Sequence, residues 1–127
     1  MNTGIFKSYD VRGIYPEEVN EEIVKRVASA LAKTFKEGEI VVGYDARLSS
    51  LSLYKAVIES LGNRKIIEAG MITKPMFYFL VGTLGAELGI MVTASHNPKE
   101  YNGLKMVKKN AVPISGKEVL ELINSKS

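Results

Sequence analysis

The sequence predicts an α/β fold: a three-layer α/β/α sandwich on a mixed, mostly parallel sheet of about four strands, the last of them antiparallel. Two observations carry that expectation. Short apolar runs rich in β-branched residues alternate with segments whose apolar residues recur at helical spacing. The loops that follow several of these runs collect Asp, Arg, Ser, His and Asn, and the carboxyl ends of strands are where α/β proteins hold ligands. With 127 residues, 46% hydrophobic and 24% charged, the chain has the size and composition of one globular domain with a real core.

Taken in order, Ile5–Tyr15 (IFKSYDVRGIY) reads as an extended strand interrupted by a turn at Arg12-Gly13. Asn20 offers a helix cap and Glu21-Glu22 an acidic first turn, which suits the positive end of the helix dipole. Ile23, Val27, Leu31 and Phe35 form the apolar stripe of that helix, and Gly38 stops it. Glu39–Tyr44 (EIVVGY) is a strand that opens into the polar loop Asp45-Ala46-Arg47-Leu48-Ser49-Ser50. A second helix follows, with Leu53, Val57, Ile58 and Leu61 on one face and Gly62 at its end. Lys65–Ala69 is the next strand. Pro75 fits the first turn of a helix over Met76–Leu84, which is apolar all round and therefore expected to be deeply buried.

Leu88–Val92 has the look of a buried strand, and Leu104–Val107 of another. The connection between them is too short for a crossover, so they should run antiparallel or splay apart. Ser115 and Glu118 fit a capping box at the head of a last amphipathic helix (Val119, Leu120, Leu122, Ile123), and Ser125-Lys126-Ser127 form a polar tail.

The densest chemistry lies between those two strands, in Thr93-Ala94-Ser95-His96-Asn97-Pro98 followed by Tyr101-Asn102-Gly103-Leu104-Lys105; His96 is the single histidine of the chain. Polar groups with special backbone needs at the mouth of a rigid strand suit a reactive loop. Asn-Pro and Asn-Gly are equally ordinary turn formers, and residue chemistry alone slightly favours a surface turn. Arg12 has two readings as well. It is either a solvated arginine or a planar fork for an oxyanion, with Asp10 to hold it. Asp45 and Arg47 read as an ion pair that shapes their own loop.

Bulk properties narrow the field. The net charge of +3, from 17 basic and 14 acidic residues, is mild and scattered, so a nucleic-acid footprint is not indicated. There are no cysteines, which removes disulfides, thiolate metal sites and thiol nucleophiles. No apolar run reaches the roughly 20 residues of a membrane span, and MNTGIFKSYD lacks the pattern of a signal peptide; the reading is a cytoplasmic protein with no membrane partner. A serine-hydrolase reading fares poorly, because there is no G-x-S-x-G elbow and His96 adjoins Ser95 in sequence.

Read together, Tyr9-Asp10-Val11-Arg12-Gly13, Gly43-Tyr44-Asp45-Ala46-Arg47 and the Thr93–Lys105 segment resemble the first domain of the α-D-phosphohexomutases, the phosphomannomutase/phosphoglucomutase family. The resemblance covers essentially the whole chain, and its TASHNP…YNGxK portion is the specific part. It implies an intramolecular phosphotransferase of the isomerase class, moving a phosphoryl group between the 1- and 6-positions of a hexose phosphate. Ser95 is then the phosphoserine that donates this group. His96 and Lys105 flank the transfer as acid/base or electrostatic partners, and Arg12 holds the phosphate. Asn97 and Asn102 join Arg12 and Lys105 around the substrate, while Asp10, Gly13, Asp45, Arg47, Pro98 and Gly103 shape the loops. The resemblance also implies Mg²⁺, bound through the phosphate on Ser95 with its remaining ligands from the second domain, and a hexose 1,6-bisphosphate as activator and intermediate.

Physical chemistry agrees with such roles, since phosphoryl transfer is mostly positioning and charge neutralisation. Residues 1–127 match the first of four family domains, so domains II–IV are expected to be partners and the chain to be inactive alone. The surface they cover is expected to be apolar and to favour self-association. The alternative is a stand-alone module that binds a phosphate or a protein without catalysis.

Overall fold

The structure, a computed structural model, describes residues 1–125; residues 126 and 127 of the expected polar tail lie outside the described residues. Six strands share one sheet: β1 (Val11–Ile14), β2 (Ile40–Tyr44), β3 (Ile66–Met71), β4 (Leu88–Val92), β5 (Tyr101–Lys108) and β6 (Val112–Pro113). The helices are α1 (Glu21–Thr34), α2 (Ser50–Ser60), α3 (Lys74–Leu84) and α4 (Gly116–Asn124). The sheet order is β1-β5-β4-β2-β3, with β6 paired to β5.

The expected α/β architecture and mixed sheet are present, but the sheet has six strands rather than about four. Its balance also differs. β2 pairs in parallel with β3 and β4, whereas β1, β5 and β6 are joined by antiparallel ladders. The physical reason is connection length. Each parallel neighbour follows a helix, whereas β5 and β6 return through links too short for a crossover.

The helix signals read from sequence hold. Asn20 accepts a hydrogen bond from the Ile23 amide, and Ser115 with Glu118 forms the reciprocal capping box of α4. α1 ends at Thr34, before Gly38, with the Phe35 amide closing on Leu31 O.

Alternation along the strands sorts the core into two layers. Ile40, Val42, Leu88, Ile90, Val92, Leu104 and Met106 pack with α1, α2 and α4. Val41, Met91 and Val107 face the other way, against Phe77 and Val81 of α3. Here the sequence expectation for α3 fails. The helix buries Phe77 and Val81, while Phe79 is 61% exposed, Met76 46% and Leu84 45%. Its outer face is apolar and, among the described residues, left uncovered.

The expected turn at Arg12-Gly13 is also corrected: both residues sit inside β1, paired with Gly103 and Asn102. Gly13 is there for space, since a Cβ would come within 2.9 Å of the Glu18 side chain, whose carboxylate accepts from the Ile14 amide. Gly103 is more demanding. Its Cβ would lie 1.9 Å from Val11 O, so β1 and β5 can pair only if this position is glycine. Gly103→Ala is expected to cost at least about 1–3 kcal/mol in urea unfolding, as overpacked sites do; an unchanged midpoint would contradict the close β1–β5 approach.

Candidate active site

β4 ends at Val92, and the chain leaves the sheet through Thr93 and Ala94, both buried. Thr93 remains tied to β5 through its amide, which donates to Gly103 O at 2.9 Å, and its hydroxyl accepts from the Ser95 amide at 3.0 Å. Ser95 follows in the left-handed region, φ 56°, a conformation that costs a non-glycine residue energy and persists where surroundings enforce it.

What enforces it is Arg47, from the loop after β2. One guanidinium nitrogen donates to Ser95 O and Asn97 O, both at 2.8 Å. The other donates to Pro98 O at 2.7 Å and Tyr101 O at 3.0 Å. Asp45 holds the arginine in turn, with Oδ2 3.3 Å from its Nε. Asp45 Oδ1 accepts from the Ser50 hydroxyl at 2.6 Å. The pair thus shapes its own loop, as the sequence suggests, but its larger task is to fasten the Ser95 loop.

Two asparagines complete the frame. Asn97 donates to Ala94 O at 2.8 Å, closing the turn ahead of Pro98. Asn102, expected among the substrate contacts, is fully buried. Its amide donates to Ser49 Oγ and Ser50 Oγ at 2.7 and 3.0 Å, and its carbonyl accepts from the Gly103 amide. A side chain so enclosed serves the loop rather than a ligand, which corrects that expectation.

The cations occupy one side of the sheet. Gly103, Lys105 and Met91 share the face that α3 covers, and Arg12 pairs directly with Gly103. Arg12 lies 3.1 Å from Asp10 Oδ1, an ion pair that is not an aligned hydrogen bond, and Asp10 is itself buried. Lys105 donates to Tyr9 O at 3.0 Å and sits 5.7 Å from the centre of the Tyr9 ring. Burial pushes its ammonium below the ordinary lysine range, Asp10 partly opposes that, and the nearby charge of Lys74 adds to it.

Lys74 is the residue that sequence reasoning missed. It is the first residue of α3, and its Nζ donates to Ser95 Oγ at 2.8 Å. Thr73-Lys74-Pro75 was legible only as a helix start. The direction of the lysine depends on α3 lying across the end of β4, which no local pattern reveals.

Ser95, exposed His96 and Lys74 line an open cleft of about 530 Å³ with Asp45, Thr93 and Met71. A groove of comparable size, about 580 Å³, lies by α1 and α2 around Glu21, Lys25 and Tyr54 and includes no residue of the Ser95 loop. Among the described residues, no group of three or more His, Asp or Glu side chains is placed to hold a metal ion. The one carboxylate in the cleft, Asp45, is engaged by Arg47 and Ser50. The residues present do not by themselves fit the expected Mg²⁺ site.

The sequence model of phosphoglucomutase/phosphomannomutase, alpha/beta/alpha domain I, matches residues 3–126. The chain belongs to this family. It is 46% identical over 113 residues to a phosphomannomutase of Klebsiella pneumoniae, covering 87% of this chain and 72% of that protein. It is 40% identical over 124 residues to a phosphomannomutase of Methanocaldococcus jannaschii, covering 96% and 27%. Among solved structures, a phosphoglucomutase/phosphomannomutase family protein from Burkholderia thailandensis superposes with TM-score 0.86 at 28% identity, over 98% of this chain and 30% of that one. The chain spans about a quarter of the length of several curated relatives, 26% in the case of the phosphohexose mutases of Xanthomonas campestris. Among the described residues, no helix is long and apolar enough to cross a membrane.

The framing role of Arg47 is testable. Arg47→Met leaves Asp45 without its cation, and three loop carbonyls and one of β5 without this donor, and is expected to cost about 2–4 kcal/mol in chemical unfolding. Amide exchange should accelerate most in residues 95–103; a uniform change across the fold would contradict a role centred on the loop.

Proposed function

We propose that this chain serves as the serine-bearing domain of a phosphohexomutase, with Ser95 the group that carries the phosphoryl between the 1- and 6-positions of a hexose phosphate. The observation that carries this reading is the fixed, strained Ser95 at the mouth of β4, hydroxyl toward an open cleft and in contact with a cation. Phosphoryl transfer asks little covalent chemistry of a protein beyond such placement and neutralisation. In the transfer, Ser95 Oγ bonds to phosphorus as the bond from phosphorus to a sugar oxygen breaks. The serine proton passes, through His96 or Lys105, to that sugar oxygen.

A phosphoserine carries about −1.5 to −2 charges near neutral pH, and Arg12, Lys105 and Lys74 are cations on the same side of the sheet. Arg12 and Asn97 bind phosphate and substrate beside Ser95. Substrate selection, the carboxylates for Mg²⁺ and closure over a hexose 1,6-bisphosphate are assigned to segments outside residues 1–127, and the site of action to the cytoplasm. The apolar outer face of α3, with Met71 61% exposed beside it, is the surface for those segments.

The 127-residue chain alone is expected to convert neither mannose 1-phosphate nor glucose 1-phosphate at a measurable rate. Turnover by the purified chain that disappears in Ser95→Ala would overturn the assignment of substrate closure to other segments. In a protein joining this chain to the remaining family domains, Ser95→Ala should lower turnover by on the order of 10³-fold or more with the fold intact. Unchanged turnover would remove the nucleophile assignment. The uncovered α3 face should also make the isolated chain self-associate as its concentration rises, which light scattering reads directly; a constant monomeric mass would argue against it.

A further inference from the structure

We propose that Lys74 is a catalytic residue of the Ser95 site: its ammonium holds the serine oxygen and balances the charge on that oxygen as the phosphoryl group arrives and leaves. The inference rests on the nucleophile reading of Ser95 and adds a residue to it.

The argument begins with what α3 can offer. Its N-terminus points toward the Ser95 loop, and a helix start normally presents backbone donors to an anion. Here three of those donors are spent or absent. Pro75 has no N–H, the Met76 amide donates to Thr73 Oγ1 at 3.3 Å, and the Phe77 amide donates to Thr73 O at 3.0 Å. The Lys74 side chain instead reaches Ser95 Oγ at 2.8 Å. An ammonium on a flexible stem can follow the oxygen through the small movements that phosphorylation requires, which fixed backbone donors cannot.

The geometry also divides the labour among the cations. Lys105 hydrogen-bonds Tyr9 O and Arg12 pairs with Asp10, and in this structure neither makes a hydrogen bond to Ser95 Oγ. Lys74 touches it. When the phosphoryl group leaves for a sugar hydroxyl, the bond from sugar oxygen to phosphorus forms and the Oγ–phosphorus bond breaks. The electron pair of the broken bond stays on Oγ, and the proton released by the sugar hydroxyl ends there. Negative charge on Oγ peaks between these events, and a hydrogen-bonded ammonium stabilises it without changing its own protonation state.

The test places phosphoserine genetically at position 95 of this chain and follows its second ionisation by ³¹P NMR titration. This bypasses any need for the chain to phosphorylate itself. The groups that bear on that phosphate are Lys74 from α3, Lys105 from β5, Arg12 from β1 with its partner Asp10, Asp45 from the loop after β2, and His96 and Arg47 in or against the loop. An ammonium at hydrogen-bond distance should hold the phosphate pKa low, so Lys74→Met is expected to raise it by roughly one unit. Lys74→Arg, which keeps the charge, should leave it near the parent value. Equal pKa values in the parent and Lys74→Met would overturn the proposal, and so would an equal rise in Lys74→Met and Lys74→Arg. Lys74→Gln provides a second neutral variant, with circular dichroism to verify folding in each case. Failure here would leave Ser95 as nucleophile standing, because that assignment falls only if Ser95→Ala spares turnover in the joined protein.

Discussion

The guanidinium of Arg47 is the interaction on which the site depends. Four carbonyls converge on it, one from the first residue of β5 and three from the irregular segment before it, which has no ladder of its own to satisfy them. A charged, planar donor with several N–H groups in fixed directions is suited to such a task, and a lysine at the same place would not reach four acceptors at once. Asp45 keeps the fork oriented, Ser50 keeps Asp45 oriented, and Asn102 bonds Ser50 from β5. The left-handed backbone at Ser95 is therefore enforced from two neighbouring strand ends, and the cost of that conformation is distributed over a bonded network.

Around this frame the two faces of the sheet divide structure from chemistry. The face covered by α1, α2 and α4 carries the larger apolar core and no member of the proposed site. The other face has one helix, α3, and the same side carries Lys105, Arg12 and the contact from Lys74. A thinly covered face leaves room for a cleft and keeps cations near water, where their desolvation is modest; half-buried Lys105 already shows the penalty in its lowered ammonium pKa. The same thin cover leaves Phe79, Met76 and Leu84 exposed.

Much of the fold was legible in the sequence where the signal was local. Asn20 and Ser115 announced their helices through capping chemistry, and EIVVGY and LGIMV announced strands through β-branched density. Ser95 stood out because turn formers and reactive groups coincide in one segment. Signals failed where the deciding partner was distant. The acceptors of Arg47 lie 48 to 54 residues downstream, so the ion pair with Asp45 was readable and its grip on the loop was not. Gly13 was read as a turn because glycine permits one, whereas here it supplies room for Glu18. Asn102 was drawn into the substrate site by its motif and is instead enclosed by two serines. The all-round apolar sequence of α3 pointed to deep burial, but the helix buries only Phe77 and Val81 and leaves Phe79, Met76 and Leu84 exposed.

The central claim is that the Ser95 loop is preformed, with the serine held in its strained conformation by Arg47 before any ligand arrives. Residual dipolar couplings at Ser95 in the ligand-free chain measure this directly. The account predicts a single left-handed backbone conformation at Ser95 in the parent chain, giving way to averaged couplings in Arg47→Met. Averaged couplings at Ser95 in the parent chain would contradict it.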